Sequence, residues 1–155
     1  IHVREVDLDL FQKNLYDYLN LLEQQKLTRK SAARLDSQRH IASNSEGIHD
    51  KLVKLFELDL PPDLPNEATR FLALMHQRIF NHFLLVSYAV EKNDPKAWST
   101  FQAENQELKK LIAGQMENVV QGSSAAQIFY SKALPHYDNI LGNIKNMAET
   151  LVGKK

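Results

Sequence analysis

The stretch YSKALPHYDNILGNIKNMAETL, residues 130–151, decides the fold. Tyr130, Leu134, Tyr137, Leu141, Ile144, Ala148 and Leu151 recur at alternating spacings of four and three. That is the seam of a helix packed against other helices. Pro135 interrupts it and costs about 3 kcal/mol in a helix interior. Each large apolar side chain that becomes buried returns roughly 1.5–3 kcal/mol, so several of them outweigh one proline. The expectation is one kinked helix rather than two.

Working outward, four more helical segments appear and no strand-like alternation bounded by hairpin turns. The first runs over about 3–25, with Phe11, Leu15, Tyr18 and Leu22 on one stripe. Thr28 is a candidate N-cap for a second helix reaching about 57. Its stripe is Ile41, Ile48, Leu52 and Leu55, and its middle, DSQRHIASNSEG, is unusually polar. LDLPPDLPNE at 58–67 stops it, because proline lacks a donor and bars the preceding residue from helical geometry. A third helix starts near Asn66 with Leu72, Met75, Ile79, Phe83, Val86 and Val90 as its buried stripe. Asp94 and Pro95 stand in the favoured order for an N-cap and first helical residue. The fourth helix carries Ala97, Phe101, Leu108, Leu111 and Ile112 and ends near the GSS of 122–124. The predicted fold is all-α, an antiparallel bundle of about five helices.

Composition narrows the function. The 155 residues are enough for one compact core. Lys plus Arg equals Asp plus Glu, 19 each, and neither half is strongly biased. No basic stripe exists to attract a nucleic acid. Cysteine is absent, which removes disulfides, thiolate nucleophiles and zinc–sulfur sites. Apolar runs such as FLLV at 83–86 are far too short to span a bilayer. The chain opens on Ile1 with no signal peptide, as expected of a piece of a longer protein.

Glu46 and Asp50 lie one helical turn apart on one face. If Ile48, Leu52 and Leu55 face the core, both carboxylates point away from it, as a solvated acidic face does. A hard-cation site would need further oxygen ligands from a partner helix. His49 sits beside the pair and reads as an exposed structural histidine. His82 falls near the apolar stripe of the third helix and reads as a core-edge residue rather than a base. The six histidines form no HExxH spacing, and no GxSxG, Walker or GxGxxG motif is present. Trp98, Phe101, Tyr130 and Tyr137 read as packing. No enzymatic activity is expected.

Two segments become informative together. SEGIHDKLVKL, residues 45–55, resembles the ERIGD signature of the PhoU family of phosphate-uptake regulators. Glu46 and Asp50 keep its acidic skeleton and Ile48 stands at its isoleucine. HYDNILGNIKNMAETL, 136–151, is similar to the second copy of that signature, whose ending is matched by Asn146, Met147, Ala148 and Glu149. Asp138 falls at the first acidic position and Ile140 at the isoleucine, whereas Gly142 replaces the second acid. The stretches VDLDLFQKNLYDYLNLLEQQKLTRKSAARL and HFLLVSYAVEKNDPKAW resemble the PhoU-like cytoplasmic tails of bacterial sodium/phosphate cotransporters.

The resemblance implies paired three-helix bundles related by an internal repeat. It places a partial first bundle of two helices at 1–60 and a complete second bundle at 61–155, packed as one compact domain. It also implies cytoplasmic placement, tethering to the inner membrane, and a regulatory partner in a transmembrane transporter segment of the same or an associated chain. A homodimer is the other partner carried forward. Some members hold metal clusters on paired acids, and the matching positions here are Glu46, Asp50 and Asp138. The resemblance places Gln77 and Asn81 opposite Asp138, amides where the family has acids. The second site therefore reads as the vestige of a metal site, and no cofactor is expected. The alternatives kept open are a free-standing bundle that binds a divalent or iron cation or a small ligand, and a periplasmic four-helix sensor module.

Overall fold

The computed structural model describes residues 2–62, 64–92, 94–120 and 124–153, apart from the side chains of 2–8, 67 and 118–120. Five α-helices account for nearly all of them: α1 (His2–Glu23), α2 (Arg29–Phe56), α3 (Asn66–Lys92), α4 (Pro95–Val120) and α5 (Ala125–Val152). Their starts follow from local chemistry. The Thr28 side chain accepts from the Ser31 backbone N–H at the head of α2. Asp94 Oδ1 accepts from the Lys96 N–H at 2.8 Å, with Pro95 as the first residue of α4. Ser124 and Gln127 form a reciprocal capping box on α5. Of the GSS expected to end α4, Ser124 is instead the cap of α5, and Gly122 and Ser123 lie outside the described residues.

α5 is the hub: α2, α3 and α4 all pack on it, and α3 also packs on α4. Among the described residues α1 touches α2 alone, and α2 and α3 do not meet. The order is therefore α1, α2, α5, then the α3–α4 pair. α2 runs antiparallel to α5, because contacts that rise in number along one fall along the other. Ile41 borders a cavity with Thr150 and Leu151, Ser45 meets Met147, Gly47 meets Asn143, and Leu52 lies near Tyr137. Gly47 marks the close approach: a Cβ there would lie 2.6 Å from Asn143 Nδ2.

The core is built around the seam of α5. Tyr130, Leu134, Tyr137, Leu141, Ile144 and Ala148 are buried as the spacing predicts, and Phe129, Ala133 and Ile140 join them. Leu151 is half-buried. α5 continues through Pro135, whose carbonyl accepts from Asn139 Nδ2 at 2.7 Å. From the other helices come Leu72, Met75, Ile79, Val86, Phe101, Leu108 and Ile112. Ile48, Leu52 and Leu55 of α2 pack against this cluster while half-exposed.

Several stripe positions depart from expectation. On α1 the buried residue is Leu19, whereas Phe11 is 64% exposed and Tyr18 is also exposed. The reason is that α1 has one neighbour, so only the edge of its stripe nearest α2 is covered. Phe83 and Leu111 are exposed rather than buried. α3 is apolar nearly all round, so periodicity alone could not select which apolar residues face inward. His82 is 1% exposed, in the core and not at its edge.

Candidate functional site

The acidic positions fall into different surroundings. Glu46 is half-buried on α2 under α1, and the Tyr16 hydroxyl donates to its Oε2 at 3.3 Å. Burial and the Glu46 charge together push the Tyr16 phenol pKa up, burial first. Asp50 is exposed as expected. The pair thus does not point to solvent as a unit: α1 covers the flank of α2 that carries Glu46. His49, expected to be exposed, is half-buried and borders the same α1–α2 groove.

Asp138 is half-buried on α5, with its Oδ1 3.4 Å from Lys109 Nζ of α4. Gly142 faces open space, with nothing within 4 Å of where a Cβ would stand. Gln77 and Asn81 do not face Asp138. Both are exposed on the side of α3 opposite Met75 and Ile79, because α3 turns a different stripe to α5 than the resemblance implies. α3 does meet α5 at Phe71, which packs edge-on against Tyr130, and at His76, whose Nε2 lies 3.1 Å from the Tyr137 hydroxyl. Burial raises the pKa of that phenol strongly. Among the described residues no three His, Asp or Glu side chains converge to hold a metal ion.

A polar pair sits where only apolar side chains were expected. His82 Nε2–H donates to Asn105 Oδ1 at 3.2 Å across the α3–α4 interface, and Nδ1 is buried without a partner. The His82 ring stacks on Phe101 with centroids 4.3 Å apart, and Trp98 also stacks on Phe101, at 5.1 Å. Burial lowers the His82 pKa, more than the Asn105 hydrogen bond restores it. The ring is therefore neutral at pH 7. Beside it, Arg78 forks onto Glu104 at 3.0 and 2.8 Å and reaches Glu107 at 3.1 Å, fastening α3 to α4. Asn105 also borders a cleft of about 360 Å³ between α4 and α5, with Trp98, Gln102, Lys109, Lys145 and Glu149. The two lysines are each paired to a carboxylate, Asp138 and Glu149. Such a lining suits a small polar molecule more than an apolar one.

Two further apolar grooves among the described residues bear on docking. One runs between α1 and α2, lined by Phe11, Leu15, Tyr18, Leu19, Ile41 and Ala42. The other, of about 330 Å³, lies between α2 and α3 with α5 as its floor. Ile48 and Leu52 form one wall, Ile79, Phe80 and Phe83 the other, and Tyr137, Ile140 and Ile144 the base. Among the described residues no helix is long and apolar enough to cross a membrane.

Comparison with family models, curated proteins and solved structures returned no match. Sequence reasoning missed the His82–Asn105 pair and the open face of α3. A signal for the second was present, in the near-absence of charge between Phe71 and Val90.

Proposed function

We propose that the chain is a non-catalytic PhoU-like regulatory domain linked to phosphate uptake, the cytoplasmic tail of a sodium/phosphate cotransporter. It acts by docking its helix surface against a transmembrane transporter segment and biasing that segment between states. The observation that carries this reading is the arrangement of α2 and α5. Each has 28 residues, begins at a hydroxyl N-cap (Thr28 or Ser124), and follows a helix with which it forms a hairpin. The two pack antiparallel on each other, as the long arms of an internally repeated pair would. The regions matching the two signatures lie on these arms, with Gly47 and Asn143 at the crossing.

The repeat also accounts for the α1–α2 groove. On the α4–α5 hairpin the corresponding apolar flank is covered by α3, whereas Phe11, Leu15 and Tyr18 of α1 are left for a partner helix. Docking of this kind needs no reactive group, and the acids at 46 and 138 then serve as packing and ion-pair residues.

The test is phosphate uptake by cells carrying the full-length native gene, compared with the gene lacking these 155 residues. Removal is expected to change the dependence of uptake on external phosphate while leaving the transporter in the membrane. Identical uptake curves at equal expression would remove the proposal.

A further inference from the structure

α3 is apolar on the face it turns away from the bundle. Leu74, Phe80, Phe83, Leu84 and Tyr88 are between 41% and 62% exposed. Between Phe71 and Val90 its only Lys, Arg, Asp or Glu is Arg78, which is turned onto α4 and held by Glu104 and Glu107. The outward polar residues of this stretch are His76, Gln77, Asn81 and Ser87. A helix apolar all round belongs in an interior, and depletion of charge marks the centre of a protein interface.

We propose that this face is an isologous interface, at which two copies of this chain pack α3 against α3 antiparallel about a two-fold axis near Asn81. Area, charge and polar pairing argue for a second copy as the occupant. The five large side chains expose on the order of 450 Å² of apolar surface, within the roughly 300–600 Å² of the largest patch on a typical monomer, which is often functional. With Ala73, the amides and the adjoining wall of the α2–α3 groove, the face approaches the ~800 Å² per partner of a specific dimer. A charge-free face offers no complementarity to a charged partner. Gln77 and Asn81 each carry both a donor and an acceptor, so copies related by a two-fold axis satisfy one another. The chain's formal net charge of zero and pI near 7.2 leave little repulsion between copies at neutral pH. In this packing Leu74 meets Tyr88 of the other copy, and Phe80 enters its α2–α3 groove. The inference stands apart from the phosphate-uptake reading, since it requires only the surface of α3.

Sedimentation velocity of the 155-residue chain reads the interface directly. The wild type is expected at twice 17.8 kDa, and Phe80→Glu and Leu84→Glu at 17.8 kDa. Circular dichroism should be unchanged in both variants, because these side chains are largely exposed. The chain has no cysteine, so a single introduced thiol reports its own contacts. Asn81→Cys is expected to form a disulfide-linked dimer under mild oxidation, and Thr100→Cys, exposed on α4, to stay uncrosslinked on a non-reducing gel. A wild type that sediments as a monomer, a dimer that survives Phe80→Glu, or equal crosslinking at positions 81 and 100 would each overturn the proposal.

Discussion

Replacing His82 by leucine tests how the α3–α4 interface holds together. The ring is 1% exposed and Asn105 is 5% exposed, so the hydrogen bond between them is shielded from water. Asn105→Leu leaves both ring nitrogens of His82 buried and unsatisfied, a loss of about 1–3 kcal/mol. His82→Leu costs less, on the order of 1 kcal/mol, because Asn105 borders the α4–α5 cleft and can turn its amide toward water. The double variant removes both polar groups at similar volume and should lie close to wild type, giving a coupling energy of roughly 2–4 kcal/mol in size. Urea unfolding at pH 7.5 measures all four corners of the cycle. In a chain of this size each 1 kcal/mol moves Tm by about 2–4 °C, so a thermal scan serves as a check. Strictly additive losses would show that the two side chains do not act as a pair, and would refute the reasoning.

The same residue predicts a pH dependence, because burial holds the folded His82 pKa below its ordinary value of about 6.5. Below that pH the unfolded chain takes up a proton that the folded chain refuses. Stability present above pH 6.5 should therefore fall as the solution is acidified, and His82→Leu should flatten the fall in part; His136, whose pKa is also lowered by burial, contributes to what remains. Leu134→Ala, at a fully buried position on the hub helix, should cost 2–5 kcal/mol by urea titration, whereas Phe11→Ala should change stability by no more than about 0.5 kcal/mol. Gly142→Ala should raise stability by about 0.5–1 kcal/mol, since its Cβ meets open space in mid-helix. Gly47→Ala should gain less or lose, because Asn143 must swing its amide out of the α2–α5 crossing; matched thermal scans decide between the two glycines.

Much of the fold was legible because the strongest signals were local. The four-and-three seam of α5, the Thr28 cap, the Asp94–Pro95 start of α4 and the proline break before α3 all stand where residue chemistry put them. The errors arose where facing depends on neighbours. α1 has a clean stripe, yet only α2 packs on it, so Leu19 is buried and Phe11 is not. α3 has apolar residues on every side, so Phe83 passed for core. Glu46 and Asp50 share a helix face, but the cover that α1 provides separates their surroundings. The His82–Asn105 pair joins residues 23 apart on different helices, which no periodicity records.

Docking through the α1–α2 flank is the central claim, and one uptake measurement tests it most directly. Phe11→Glu and Tyr18→Glu, combined in the full-length native gene, place charge on two exposed residues. The account predicts that phosphate uptake shifts as it does when the whole segment is removed, with the variant segment still folded by circular dichroism. Uptake indistinguishable from wild type, at equal expression and with the substitutions confirmed, would contradict it.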